Sequence, residues 1–433
     1  MRKYFLTVIV SVVMVLAAQA GDVNLFQPYT GKSVPGVDTK TLTGKVMCGY
    51  QGWFNCAGDG ADVGWIHWGG HGQDMPRTGN ITIDLWPDVS EYDADELYDT
   101  GFRFQDGKTA QLFSSYSRKT VLRHFEWMRE YGIDGAFIQR FASILRSSKR
   151  RQHHNVVLAH AREGANLSGR TYAVMYDLSG LRKNGAQLII EDWKQLRDQA
   201  HITEDPAYLH HNGKPVVSLW GIGFKDRRGY TLNDCRQIIQ YLKEDGCTVK
   251  LGVPPTWEKQ GIDTIDDEGY LEVLKMADIL SPWAVGRFDS IPAARVHANT
   301  YYPDDTVFCK NNGLDYMPVI FPGFSWHNIH HGRTPLQQIP RLKGRFMWEQ
   351  IWQAKEAGCD MIYVAMFDEV DEGTAIFKCT NNPPIGDGAA FITYEGLPND
   401  FYLRLTGYAG KIIRNEVPLT EGLPEILKKI VEN

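Results

Sequence analysis

Eight short apolar runs, alternating with stretches of helical periodicity, constrain this chain more than any other feature. The runs read as strands over Lys45–Trp53, Gly135–Phe141, Thr171–Asp177, Lys214–Trp220, Val249–Val253, Asp278–Val285, Tyr316–Phe321 and Asp360–Met366. Their side chains are mostly apolar at successive positions, as strands covered on both faces require. Pro282 and Pro318 fall inside two of them, where a ladder hydrogen bond must be lost. The intervening segments have a different period. In Ser117–Tyr131, Val121, Leu122, Phe125 and Met128 share one helical face, and Gly132 ends it. Further helices are expected through His153–Glu163 and over Glu191–Gln199, Thr231–Lys243, Gly269–Lys275, Pro292–Asn299 and Arg345–Ala357. Strands and helices alternating in this way predict an α/β chain built as one (β/α)8 TIM barrel domain. No linker marks a second domain, so residues 21–433 form the barrel with a C-terminal extension packed on it. That extension is expected to carry a strand over Ala389–Tyr394 and a helix over Pro424–Val431.

A barrel of this kind builds its site at the carboxyl ends of its strands. Taken in order, those ends supply Gln51 and Trp53, Gln139 and Arg140, Tyr176 and Asp177, Trp220, Trp257, Trp283, then Trp326 and His327. The eighth run ends in MIYVAMFDEVDEGT, where Asp368, Glu369, Asp371 and Glu372 stand within five residues. Such dense charge beside a buried segment costs desolvation and repulsion, and it persists where a substrate, proton or cation uses it. A solvated acidic loop and a structural Ca²⁺ site are the competing readings. Aromatic residues make up 12% of the chain, and many Trp fall at strand ends. Sugars pack their C–H faces on such rings while their hydroxyls take hydrogen bonds. Aromatics around two or more carboxylates suit glycoside cleavage, in which one acid protonates the leaving oxygen and a second group assists attack at the anomeric carbon.

The loop NCAGDGADVGWIHWGGHG adds Trp65, His67 and Trp68 as substrate-contact candidates. His67 and His71 are four apart, but the glycines around them argue against the helix that a zinc pair at this spacing needs. His327, His330 and His331 lie in one loop without matching carboxylate spacing, which favours substrate contact or solvation over a metal. No metal or other cofactor is assigned, with Ca²⁺ at the acidic cluster left open.

Several of these stretches resemble one family. FDEVDEGT, residues 367–374, is similar to the FNEWHEGT stretch of glycoside hydrolase family 99, the endo-α-mannosidases, and of related family 71/99-like proteins. GYQGWF with GWIHWG, HFEWMREYGIDGAFIQRF and PVIFPGFSW resemble other barrel segments of the same group, so the likeness covers most of the chain. It implies a glycosidase acting on an α-linked sugar with retention. Glu369 would act as base on the sugar's own 2-hydroxyl, giving an epoxide-like intermediate, and Glu372 as general acid and then base. Asp368, Val370 and Asp371 stand where the family has Asn, Trp and His, adding two negative charges around the pair and leaving Asp368 and Asp371 as substrate-binding candidates. A barrel that binds carbohydrate without cleaving it is the alternative.

Residues 1–20 begin with Arg2 and Lys3, continue in an apolar run and end Ala18-Gln19-Ala20, the pattern of a secretory signal peptide. A secreted or periplasmic location is expected, and no later run approaches the length of a membrane span. Removing Arg2 and Lys3 leaves 44 basic residues against 52 acidic, a formal charge of −8. With no long basic run, nucleic acid is an improbable partner and a carbohydrate substrate the expected one. Oligomeric state is not legible. The seven Cys form no metal knuckle, and Cys48 with Cys56 or Cys235 with Cys247 are candidate local disulfides.

Overall fold

The computed structural model describes residues 25–386 and 388–432; the signal peptide expected over residues 1–20 lies outside them. Eight parallel strand positions close into a ring: β1 Val46–Tyr50, β2 Gly135–Phe141, β3 Thr171–Asp177, β4 Lys214–Trp220, β5 Thr248–Val253, β6 Ile279–Pro282, β7 in two pieces, Asp315–Tyr316 and Val319–Ile320, and β8 Ile362–Val364. Neighbours pair in order, and β1 pairs with both β2 and β8. The two prolines mark the irregular places. Pro282 ends β6, and Pro318 splits β7, whose first piece pairs with β6 and whose second pairs with β8. Ring closure survives the break because the Met317 N–H donates to Leu280 and the Tyr363 N–H to Pro318.

Each strand is followed by a helix on the outside of the ring: Arg118–Tyr131, Ser148–Ser168, Ala186–Asp198, Leu232–Glu244, Tyr270–Leu274, Ile291–Asn311, Arg345–Glu356 and Phe401–Ile413. Local sequence sets their starts. The Ser117 hydroxyl accepts from the Thr120 N–H, and Thr231 and Asp234 cap each other reciprocally. Gly132, at φ 77°, closes the first helix in the left-handed conformation. The sixth helix passes through Pro303 and extends well beyond the expected Asn299. The bore is crowded. A Cβ on Gly49 would lie 2.0 Å from the Tyr363 hydroxyl, so only glycine fits that point of β1.

Two expectations are corrected. All seven cysteines are free and buried; Cys48 lies within β1, and the Cys56 thiol donates to the Phe113 carbonyl, so neither candidate disulfide forms. Residues 389–394 make no strand: only Ile392 bridges, to Leu85. The excursion between β1 and the first helix contains an antiparallel hairpin, Leu97–Arg103 with Thr109–Phe113. The terminal helix is present over Glu425–Glu432.

Candidate active site

A cleft of about 560 Å³ opens at the carboxyl ends of the strands. Its lining includes Gln51, Trp53, Gln139, Asp177, Trp220, Trp283, Trp326, Glu369 and Glu372, nine of the residues chosen from sequence. Strand alternation explains the selection. Successive side chains point to opposite faces, so Gln139 and Phe141 reach the cleft while Arg140 between them points outward into the helix layer. Arg140 pairs there with Asp192, which also accepts from the Tyr176 hydroxyl at 2.7 Å, and donates to Asn155 at 3.1 Å. Arg140 and Tyr176 are therefore wall-bracing residues and not contacts of the cleft. The same correction applies to three tryptophans. Trp257 is buried against Phe308, Trp68 packs on Phe54 and Phe113 and donates to the Phe113 carbonyl, and Trp65 is enclosed beside them. His327 is turned to the Thr334 carbonyl at 2.7 Å and lines no part of the cleft.

The four acids follow β8 in a tight loop, and each has a different neighbour. Asp368 accepts two backbone N–H groups, from Gln51 at 2.8 Å and Gly52 at 2.9 Å. Gly52 presents its N–H from φ 58°, a conformation that favours glycine. Glu369 accepts from the Gln51 amide at 2.8 Å and from the Thr374 hydroxyl at 3.3 Å. Asp371 meets His67 Nδ1 at 3.0 Å. His67 in turn lies flat on Trp53, with ring centroids 3.7 Å apart, and Trp53 stacks on Phe141 on its other side. Glu372 is partly exposed to the cleft.

Burial raises the pKa of three of these acids. Asp368 is pushed up to about 7, opposed by its two backbone donors. Glu372 is likewise pushed up to about 7, by burial and then by Asp371, with the Trp326 side chain pulling the other way. Glu369 rises through burial and through Glu372, Asp371 and Asp368, opposed by Gln51. Two coupled carboxyls on one wall therefore hold a proton near neutral pH. Asp177, across the cleft, is also raised by burial, with Ser179 and Arg228 opposing.

Each acid points to its own partner, and among the described residues no three His, Cys, Asp or Glu side chains converge as metal ligands would. His71 is exposed in its loop, and His330 packs against Trp326. Sequence reasoning missed Phe141, Phe224, Arg228, Arg287 and Gln338, all of which line the cleft. Phe141 was visible as the last residue of the second run; the others come from loops with no periodic signal.

No known family's sequence profile matches the chain, and no curated protein matches it in sequence. Solved structures do. The chain is similar to a GH99 endo-alpha-mannosidase from Bacteroides thetaiotaomicron, at a TM-score of 0.62 and 16% identity, covering 87% of this chain and 99% of that one. A complex of such an endo-alpha-mannosidase with bis-tris propane aligns at a TM-score of 0.59 and 16% identity, with the same coverage. A glycoside hydrolase-like protein aligns at 0.50 and 12% identity, covering 88% and 97% of the two chains. The architecture shared with these proteins is the (β/α)8 barrel.

Proposed function

We propose that the chain is an exported glycoside hydrolase that cleaves an α-linked sugar in a glycan or polysaccharide with retention. The observation that carries this reading is the Glu369–Glu372 pair on one wall of a cleft otherwise faced by Trp53, Trp220, Trp283 and Trp326. The fold likeness to GH99 endo-alpha-mannosidases supports it, and the leader sequence supports export.

The two acids divide the work through their hydrogen bonds. Donors from Gln51 and Thr374 favour the ionised form of Glu369 against the burial and neighbouring acids that raise it, and in this reading the shared proton of the coupled pair is delivered from Glu372. Glu369 takes the proton of the substrate's 2-hydroxyl as that oxygen attacks the anomeric carbon. Glu372 gives its proton to the departing glycosidic oxygen, leaving an epoxide-like sugar. A water that loses its proton to Glu372 then opens this ring at the anomeric carbon, and Glu369 returns the proton to the 2-oxygen. Two inversions amount to retention, and neither carboxylate bonds to carbon. Buried Gln51 Oε1 and Gln139 Oε1, which lack partners, are acceptors that a sugar hydroxyl would complete.

The test is a glycan digestion panel with the parent, Glu369→Gln and Glu372→Gln. Turnover that both variants keep at the parental rate would overturn the assignment. The substitutions at Asp368 and Asp371 favour a second reading, a barrel that binds carbohydrate without turnover. Saturable binding with no product across the panel would select it.

A further inference from the structure

The rim of the cleft carries charge on one side. The loops that follow β3 and β4, residues 178–184 and 221–230, contain Arg182, Lys183, Lys225, Arg227 and Arg228 against the single acid Asp226, in a chain of net charge −6. Asp226 is taken up by Arg228, which it grips with both oxygens at 2.7 Å. The other four cations are exposed and, among the described residues, have no ion pair. The two loops are tied together, since Arg228 Nη1 reaches the Ser179 hydroxyl at 3.3 Å and Arg146 donates to the Gly180 carbonyl at 2.7 Å. Like charges gathered on two adjoining loops repel.

The patch adjoins the cleft. Arg228 lies over Trp220 and Phe224, at 4.7 and 5.0 Å from the ring centres, and both rings line the cleft. Beside Phe224 and Arg228 a second cavity of about 470 Å³ opens, walled by Lys225 and Arg227 together with Asp266 and Asp267. A chain leaving the cleft over Trp220 would pass the loop that carries Lys225 and Arg227, beside the loop that carries Arg182 and Lys183.

We propose that the glycan taken by this cleft is anionic, bearing carboxylate or sulfate groups on residues beside the scissile sugar that engage Arg182, Lys183, Lys225 and Arg227. This rests on the glycan-cleaving reading of the same cleft. Guanidinium groups bind the planar carboxylate or the sulfate through two N–H donors at once, and the lysines add unspecific attraction that salt weakens.

Calorimetric titration with three probes tests it: oligogalacturonate for carboxylate, low-mass dextran sulfate for sulfate, and neutral mannan. The parent is compared with R182Q/K183Q/K225Q/R227Q and with K310Q/K411Q/K428Q/K429Q, which removes as many cations at sites away from the cleft. We expect one or both anionic probes to bind the parent more tightly than mannan, to bind the rim variant roughly tenfold more weakly, and to bind the control variant as they bind the parent. The anionic probe that binds identifies the charged group. Failure of both anionic probes to bind the parent, or equal loss in rim and control variants, would overturn the proposal. Glu369→Gln separates the two readings: anionic probes that bind it and the parent, with no glycan ever cleaved, would sink hydrolysis and leave the rim assignment standing.

Discussion

The backbone N–H of Gln51 donates to Asp368 at 2.8 Å while the side-chain amide of the same Gln51 donates to Glu369 at 2.8 Å. One acid thus holds the chain that holds the other. Asp368→Ala strands the N–H groups of Gln51 and Gly52 in a buried place, at about 1–3 kcal/mol for each group left unpaired. We expect urea unfolding to register that loss, and the variant's kcat on a cleaved glycan to fall as Gln51 releases Glu369. Unchanged stability and kcat would show that Asp368 braces nothing.

The pH profile should be bell-shaped. Glu372, with its pKa pushed up to about 7, must be protonated to serve as acid, so kcat/KM falls as pH rises through about 7. The acid limb is the protonation of Glu369, whose pKa burial and the neighbouring acids also raise, so the bell should be narrow. Glu372→Gln should lower kcat by roughly 10²–10⁴-fold on a natural glycoside. The loss should be far smaller on an aryl glycoside whose leaving group needs no proton, with the alkaline limb gone.

Stability should carry the same signature with a definite sign. A carboxyl whose folded pKa is raised binds more protons in the native than in the unfolded chain, so stability falls as pH climbs from the ordinary carboxylate range to about 7. Glu372→Gln removes one such group. Its Tm relative to the parent should therefore rise between pH 4.5 and 7.5, in thermal melts at matched salt. A flat difference would contradict the raised pKa.

Arg140 and Asp192 form a buried pair behind β2 and β3. Arg140→Ala leaves the buried Asp192 carboxylate with the Tyr176 hydroxyl and no countercharge, and should cost about 3–5 kcal/mol in chemical denaturation. Replacing both residues, as R140M/D192L, should recover a large part of the loss.

His67 acts through Trp53. With the stack removed by His67→Ala, Trp53 keeps only Phe141 and should present a less fixed face to the sugar. Aromatic pairs contribute about 0.5–1.5 kcal/mol, so KM should rise up to roughly tenfold. The kcat should stay within about twofold. An equal fall in kcat would assign His67 to the chemistry instead.

The barrel was legible because strands covered on both faces must be apolar throughout, and because helices betray their buried side at every third or fourth residue. Gln51, Trp53, Gln139 and Asp177 reached the cleft as their strand-end positions implied. What could not be read was direction. Arg140 looked as eligible as Gln139, and only the pleat sends one outward. Asp368 and Asp371 were unassignable because their partners, the N–H groups of Gln51 and Gly52 and the ring of His67, lie some 300 residues earlier in the chain. The cationic rim comes from two loops, 178–184 and 221–230, whose charges are scattered in the sequence and gather only when β3 and β4 lie side by side.

The seven free thiols are all enclosed, and burial pushes those of Cys235, Cys247, Cys359 and Cys379 up to about 12. Sulfur kept in the unreactive thiol form and out of reach makes the fold indifferent to the redox poise around it. Maturation then calls for no oxidase, and an oxidising medium finds nothing to cross-link until the barrel opens. The cysteines thus serve as a clock: the rate at which a thiol reagent reacts with them measures how long the closed ring of strands endures.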